Sequence, residues 1–300
     1  MNLHLGVGDA RRDGYHDLLT VFQAVQRRER VTLKVERGGS GGVVTSMSTS
    51  FAVAEPEENI NTAANLAWRA VEAVVEDAGV DVPAVRIHVD KRVFVAGGMA
   101  GGSADAAAAL VAAAEFVAHY GGVEVDFHAL HRLAAGLGAD VPFCLMGGTA
   151  QGTGRGDELV AMISRGTFHW VFVNPRVGLP TGRAFTLLDD LRHNDPALVA
   201  RLDTTALSRA LLSGDPEQVA GALHNDLQAP AVRMRPQLLA VLEEGSRVGL
   251  AAIVSGSGPT VAVLCRDGEH AQQAEAQLRA LFPDYEAFRT TGPAEGARLD

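Results

Sequence analysis

The stretch from residue 85 to residue 119 constrains the fold of this chain more than any other, because three different local patterns follow one another directly. Val85–Val89 alternates apolar and polar residues, as a half-buried strand does. Gly97, Gly98, Gly101 and Gly102 then place four glycines within six positions. The alanine-rich segment Ala106–His119 that comes next is a strong helix former. The pattern therefore predicts a strand, a glycine loop and a helix.

This order of elements predicts an anion site. Glycines remove Cβ atoms where a bulky anion must approach the backbone, and the first turn of a helix offers free N–H groups and a positive dipole end. Triphosphate is a common ligand of such sites. The hydroxyl of Ser103 could contact a phosphate or a phosphate-bound Mg²⁺ ion.

The loop departs from the better-known nucleotide motifs. Ser103-Ala104 stands where a P-loop requires Lys-Ser or Lys-Thr, and the glycines miss the spacing of a dinucleotide fingerprint. A glycine-rich turn that only lets a helix pack on a sheet is the alternative interpretation. A second glycine loop, Ser255–Thr260, joins two apolar strands and favours anion binding in a cleft between two domains.

The remaining pattern predicts an α+β chain. Val21–Val25 and Val31–Val35, separated by the polar break Gln26–Arg30, are predicted to pair as a hairpin. A glycine-rich turn is predicted after them, at Gly38–Gly42. Asn61-Thr62 is predicted to cap a helix that runs to about Asp77 and ends at Gly79. A further helix is predicted at Phe127–Leu137. The last part suggests a split β-α-β-β-α-β unit with strands at His169–Val173, Ala251–Val254, Val261–Cys265 and Tyr285–Arg289 and a helix at Glu269–Leu281.

Composition narrows the class of protein. The 300 residues carry a formal net charge of −10, which argues against a nucleic-acid or an anionic membrane surface as partner. Cys144 and Cys265 form no zinc or redox motif and suit a reducing cytoplasm. No signal peptide is apparent, and Ala106–Ala118 is too short and too weakly apolar to be expected to span a bilayer. We expect a cytoplasmic protein with domains at residues 1–156 and 157–300; the oligomeric state stays open.

Four motifs in order resemble a known family. The loop Phe94–Ser103 and the Ser-Gly-Ser-Gly-Pro-Thr run at Ser255–Thr260 resemble the two glycine loops of GHMP kinases. Asn2-Leu3-His4-Leu5 with Asp13-Gly14-Tyr15-His16, Thr20-Val21-Phe22-Gln23 and Leu137–Phe143 is similar to segments of one family among them, the diphosphocytidyl-methylerythritol kinases. The resemblance covers nearly the whole chain.

The resemblance implies a fold and a reaction. The fold is the α+β, two-domain GHMP kinase fold, with a ribosomal protein S5 domain 2-like N-terminal domain that binds ATP, a ferredoxin-like C-terminal substrate domain, and the active site in the cleft between them. The reaction is ATP-dependent phosphorylation of the 2-hydroxyl of 4-diphosphocytidyl-2-C-methyl-D-erythritol in non-mevalonate isoprenoid biosynthesis. ATP and Mg²⁺ are the implied cofactors and a cytidine diphosphate compound is the implied partner.

The resemblance also implies roles for individual residues. Asp140 matches the aspartate that accepts or orients the proton of the substrate hydroxyl. The residues that contact the substrate in the family correspond here to Asn2, Tyr15, His16, Thr181 and Phe185. Among them, His16 matches the residue that forms a hydrogen bond with the cytosine. The nucleotide contacts match Asn59, Lys91, Val95, Ala96, Gly97, Gly98, Met99, Ala100, Gly101, Gly102 and Ser103.

Alternatives remain open for the residues and for the function. On local sequence Asp140 is a helix cap or turn residue, and His16 could be a surface histidine. The family has a lysine two residues before the position of Asn2, whereas here only Met1 precedes it, so we expect a shortened N-terminus and lower activity. Phe94 replaces the proline of the family loop. Another GHMP small-molecule kinase, or a catalytically weak nucleotide-binding relative, is therefore the alternative function.

Overall fold

The computed structural model describes residues 1–12, 14–36 and 42–300 of the chain, so Asp13 and most of the predicted turn at Gly38–Gly42 lie outside the described residues. The chain divides into two compact units that are not continuous in sequence. The first unit comprises residues 1–26, 96–99 and 147–295, and the second comprises residues 27–95, 100–146 and 296–300. The division into domains at residues 1–156 and 157–300 stays a prediction.

One sheet of the first unit has five strands in the order β7-β6-β2-β1-β9. Its strands are β1 (Asn2–Ala10), β2 (His16–Gln23), β6 (Thr149–Thr153), β7 (Glu158–Ala161) and β9 (His224–Asn225). All neighbouring strands are antiparallel except β1 and β9, which run parallel. Leu5 and Val7 of β1 are buried, and they pack with Leu188 and Leu227.

The other sheet of the first unit has the predicted β-α-β-β-α-β pattern. Its strands are β8 (Phe168–Asn174), β10 (Ala251–Val254), β11 (Val261–Cys265) and β12 (Glu286–Gly292), in the spatial order β10-β11-β8-β12 and all antiparallel. When these four strands are numbered by their order along the chain, their spatial order is that of a ferredoxin-like sheet. Its helices are α5 (Thr181–Asn194), α6 (Thr205–Ser213), α7 (Pro216–Ala222), α8 (Gln228–Met234), α9 (Gln237–Val248) and α10 (Gly268–Leu281). The sheet buries Val171, Val173, Val261 and Val263 against them.

The second unit packs helices on a three-stranded sheet in the order β3-β5-β4. The strands are β3 (Arg30–Val35), β4 (Val44–Phe51) and β5 (Val85–Lys91), and the helices are α1 (Leu66–Ala78), α2 (Gly101–Gly121), α3 (Phe127–Leu137) and α4 (Val141–Met146). Val85, Ile87 and Val89 point into the core, where they meet the alanine-rich face of α2. Small alanines let α2 approach its neighbours closely, which explains why this segment is central to the unit.

Two predictions of local structure are wrong. The predicted hairpin does not form, because β2 pairs with β1 and β6, whereas β3 pairs with β5. Asn65, and not Asn61-Thr62, caps α1 by accepting a hydrogen bond from the Ala67 N–H at 2.9 Å. Gly79 does end α1, in the left-handed conformation with φ 62°.

Helix α2 is longer than its predicted core. It starts at Gly101, within the glycine loop, and its 21 residues meet the length and composition of a membrane span. Half of the most apolar 18-residue stretch of α2 is buried inside the structure, as in a helix that packs in a protein core.

Candidate active site

The first half of the glycine loop packs directly on the second glycine loop. The Ser255 hydroxyl donates to the Gly98 carbonyl oxygen at 2.8 Å, and the Thr260 N–H donates to the Gly97 carbonyl oxygen at 3.3 Å. Gly98 has φ 74°, and a Cβ built there would meet the backbone of Ser255 and Gly258. The two loops that the sequence singled out separately are therefore one structural feature.

Side chains around the second loop hold it in place. The Asn225 side-chain amide donates to the carbonyl oxygens of Val254 and Gly256, at 2.7 and 2.8 Å. The Asn174 amide donates to the Thr260 hydroxyl at 2.8 Å. Asn174, Asn225 and Thr260 are all buried, so each of these hydrogen bonds satisfies polar groups that would otherwise be costly to bury.

The second half of the glycine loop forms the first turn of α2. Ala100 precedes the helix with φ 54°, and no side chain caps the turn. Gly101 is buried, whereas Gly102 is exposed and a Cβ built on it would have only Leu66 Cδ1 within 4 Å, at 3.9 Å. The first N–H groups of an α-helix lack intrahelical partners. The turn is thus open on the side of Gly102, as an anion site requires.

Asp140 lies between α3 and α4, after the Gly138-Ala139 turn. Its side chain is only partly exposed, and this burial raises its pKa above the usual value of a carboxyl. Its backbone carbonyl accepts the Cys144 N–H at 3.1 Å as α4 begins. A carboxyl with a raised pKa is a better proton acceptor once it is ionised, which suits a general base.

Histidine 16 is a buried residue with two defined neighbours, and it is not a surface histidine. Its ring stacks on Phe185, with centroids 5.1 Å apart and an angle of 29° between the planes. Its Nε2 lies 2.9 Å from Oδ1 of Asp189. A hydrogen on Nε2 that points at this carboxylate leaves Nδ1 as an acceptor. The structure therefore brings together two of the predicted substrate residues.

The other predicted substrate residues lie in the same unit. The Asn2 side-chain amide donates to the Thr20 hydroxyl at 2.8 Å, and the Thr181 and Ser257 hydroxyl oxygens are 2.9 Å apart. Tyr15 is 56% exposed, and the guanidinium of Arg155 lies over its ring at 5.8 Å from the centroid. Thr181 thereby links α5 to the second glycine loop.

Two other predicted nucleotide residues, Asn59 and Lys91, have defined contacts with protein groups. Asn59 is exposed, and its side-chain oxygen accepts the Asn61 N–H at 2.9 Å. Lys91 is buried, with its ammonium group bonded to Glu29 and Asp105. Their role at an ATP pocket stays a prediction.

Asp189 is a site residue that was not predicted from the sequence, although the sequence contains a signal for it. Thr181, Phe185 and Asp189 are spaced four residues apart along α5, so they form one stripe of that helix. The described ranges contain no group of three His, Cys, Asp or Glu residues that could hold a metal ion.

Comparison with known proteins gives consistent results along the chain. Residues 65–148 match the N-terminal domain of GHMP kinases, and residues 207–284 match their C-terminal domain. The chain therefore belongs to the GHMP kinases, which are ATP-dependent phosphotransferases.

Full-length relatives narrow the family. A 4-diphosphocytidyl-2-C-methyl-D-erythritol kinase of Corynebacterium diphtheriae is 44% identical, covering 100% of this chain and 95% of the relative. One of Corynebacterium glutamicum is 46% identical, covering 98% and 91%. A crystal structure of 4-(cytidine 5'-diphospho)-2C-methyl-D-erythritol kinase matches with a TM-score of 0.74 at 31% identity, covering 97% and 95%. Within the GHMP kinases, the chain belongs to the 4-diphosphocytidyl-2-C-methyl-D-erythritol kinase family.

More distant structures share the fold alone. Mevalonate kinase of L. major, solved in complex with R-mevalonate, matches with a TM-score of 0.70 at 15% identity, covering 93% of this chain and 90% of that chain. Identity at this level carries no argument about which alcohol is phosphorylated.

Proposed function

We propose that this chain transfers the γ-phosphoryl group of ATP to the 2-hydroxyl of 4-diphosphocytidyl-2-C-methyl-D-erythritol, in the non-mevalonate route to isoprenoid precursors. The observation that carries the proposal is the 44–46% identity over essentially the whole chain to kinases that bear this substrate's name. The group formed by buried His16 with the partly exposed Phe185 and Asp189 supports it, because it offers a flat aromatic surface and a fixed hydrogen-bonding edge to a pyrimidine base. A cytoplasmic location belongs to the same proposal.

At the nucleotide end, the first turn of α2 would bind the triphosphate of MgATP. The N–H groups of Gly101, Gly102 and Ser103 lie at the positive end of a 21-residue helix, and Gly102 leaves its surface uncovered. Magnesium enters with ATP as part of the substrate and reduces the negative charge of the phosphates. The Ser103 hydroxyl is partly exposed in the same turn and can add a further hydrogen bond.

At the cytidine end, His16 would accept a hydrogen bond from the exocyclic amino group of cytosine through Nδ1. Asp189 accepts the hydrogen on Nε2, and so it selects the tautomer in which Nδ1 is free to accept. Uracil has a carbonyl oxygen at the position of that amino group. The arrangement would therefore favour cytidine over uridine compounds.

At the acceptor, Asp140 would orient the alcohol and take up its proton as phosphoryl transfer proceeds. Phosphoryl transfer passes through a loose transition state, so positioning and neutralisation of charge account for most of the catalysis. The partly buried position of Asp140 raises its pKa and matches it better to an alcohol that becomes acidic only late in the reaction.

The first experiment measures ADP release with 4-diphosphocytidyl-2-C-methyl-D-erythritol, with homoserine and mevalonate as alternative alcohols. We expect turnover with the cytidyl compound only, and a loss of roughly 100- to 10,000-fold in kcat for Asp140→Asn. Turnover of homoserine or mevalonate would point to another GHMP kinase activity. ATP binding without any phosphorylated product would indicate a nucleotide-binding relative.

The second experiment locates the triphosphate. We expect Gly102→Ala to raise the KM for ATP by roughly tenfold or more, because the added methyl group occupies the open surface of the turn. Gly136→Ala is the matched control, since Gly136 is also exposed in a helix and a Cβ there meets nothing within 4 Å. Both variants should fold, because alanine is the better helix former by up to about 1 kcal/mol. Equal KM values for ATP in the two variants would contradict triphosphate binding at this turn.

A further inference from the structure

Three ionisable side chains are buried together beneath the first turn of α2. Lys91 ends strand β5, Asp105 lies on α2, and Glu29 precedes β3; each side chain is at most 4% exposed. The Lys91 ammonium lies 2.9 Å from Glu29 Oε2 and 2.5 Å from Asp105 Oδ2. The contacts of this lysine therefore join β5, α2 and the segment before β3 at a single buried point.

This cluster also holds the backbone that leads into the glycine loop. Glu29 Oε1 accepts the N–H groups of Arg92 and Val93, at 3.2 and 3.1 Å. A Cβ built on Gly101 would lie 3.2 Å from the Lys91 ammonium and 3.5 Å from Glu29 Oε2. The first residue of α2 thus lies almost in contact with the cluster, and glycine leaves the space for it.

The Glu29 carboxyl of the cluster is expected to hold a proton at neutral pH. Burial and then the neighbouring Asp105 charge raise the pKa of Glu29 to about 8, although Lys91 acts in the opposite direction. Asp105 Oδ1 is buried with no hydrogen-bond partner among the described residues, so a proton on Glu29 has an acceptor nearby. With Glu29 protonated, the cluster carries one positive and one negative charge and is neutral.

We propose that Lys91 is a positioning residue that, through Glu29 and Asp105, fixes the first turn of α2 in the orientation that binds the triphosphate of ATP. The ammonium group is enclosed and already bonded to two carboxyl groups, so it acts through the turn and does not contact the nucleotide. This inference rests on the proposed function, because it assumes that ATP binds at this turn.

The main test removes the connection and keeps the cluster neutral. The double variant Lys91→Met/Asp105→Asn loses one buried charge of each sign, so neither charge is left unpaired. The control is Arg132→Met/Asp77→Asn, an exposed ion pair with 2.6 Å between its atoms in the same unit. Calorimetric titration with MgATP measures the Kd, and steady-state kinetics measure the KM for the cytidyl alcohol.

We expect the Kd for MgATP to rise by roughly ten- to a hundredfold in the cluster variant, with the KM for the alcohol unchanged and both values unchanged in the control. An unchanged Kd in the folded cluster variant would overturn the proposal, as would equal losses for both substrates. If the unaltered protein failed to bind MgATP, the proposed function itself would fall and this inference with it. The two failures are therefore distinguishable.

A second variant keeps the test decisive if the first does not fold. Glu29→Gln imitates the protonated carboxyl, so we expect a normal Kd at pH 7. Between pH 7 and pH 9 the Kd should rise in the unaltered protein and stay constant in the variant. The other titratable groups that interact with Glu29 are Lys91, Asp105 and Cys144. The Cys144 thiol, with its pKa raised to about 12 by burial and by nearby carboxylates, stays protonated in this range. A Kd for the unaltered protein that is flat up to pH 9 would refute the positioning role.

Discussion

Replacing Gly98 by alanine tests whether the protein itself, independently of any ligand, requires glycine where the two loops meet. A Cβ at this position would lie 2.8 and 2.9 Å from the backbone oxygen and nitrogen of Gly258, and nearer still to the carbonyl oxygen of Ser255. All three atoms belong to the backbone of a loop that Asn225 and Asn174 hold in place. The methyl group can therefore be accommodated only if the two loops separate.

The expected cost has two parts. Gly98 has φ 74°, and an L-residue in the left-handed region costs roughly 1–2 kcal/mol. Forcing a methyl group into a packed site adds about 1–3 kcal/mol. Separation of the loops would also lengthen the 2.8 Å hydrogen bond from Ser255 to the Gly98 carbonyl oxygen. We expect the free energy of unfolding to fall by roughly 2–5 kcal/mol, a large share of the total stability of a typical domain.

Gly148→Ala separates the two parts. Gly148 lies in the same unit with φ 69°, but a Cβ there meets nothing within 4 Å, so this variant carries the conformational cost alone. Urea unfolding of both variants, followed by circular dichroism, should show the larger loss for Gly98→Ala. Equal losses would refute the steric argument and would mean that the two loops adjust to the methyl group without cost.

Two further predictions concern ionisable groups. Because the pKa of Glu29 is raised from 4.5 to about 8, the folded state holds a proton that the unfolded state lacks between those pH values. As the pH rises through this range, the free energy of unfolding should therefore fall by up to about 1.4 kcal/mol per pH unit. Urea unfolding at several pH values measures this decrease, and the Glu29→Gln variant should lack it. Asp189→Asn should raise the KM for the cytidyl substrate by roughly fivefold, because a hydrogen bond to a half-exposed partner contributes about 1 kcal/mol, and should leave the KM for ATP unchanged. Steady-state kinetics measure both values, and equal changes in the two would contradict the role of His16 at the base.

Local patterns predicted those elements whose partners are close in sequence or whose period is clear. The ferredoxin-like sheet followed from alternating strands and a helix of ordinary length, and the antiparallel pair Ala251–Val254 and Val261–Cys265 was confirmed. The hairpin of β2 and β3 failed because strand pairing is a property of tertiary structure. Apolar alternation shows that a segment is a strand, but it does not show which strand lies beside it.

The candidate site was predictable only where it consists of a continuous motif. The glycine loop and the Ser255–Thr260 loop could be recognised, whereas their contact through Gly98 joins segments 157 residues apart. The contacts of Lys91 were not predictable for the same reason, because its partners lie 62 and 14 residues away in sequence. Nothing in the local sequence shows that this lysine is enclosed by two carboxyl groups.

The glycines of one loop therefore have different physical reasons for being glycine, and sequence alone does not separate them. At Gly98 a Cβ would collide with the backbone of the second loop, whereas at Gly101 a Cβ would lie 3.2 Å from the buried ammonium of Lys91. Among the described residues no atom excludes a side chain at Gly102, which agrees with the proposed approach of the triphosphate to this turn. Meanwhile Ala96 and Ala100 adopt left-handed conformations without being glycine, at φ 51° and 54°. Positive φ alone thus does not account for the glycine content of this loop, and the exposed, uncrowded Gly102 is the position that best fits the proposed triphosphate site.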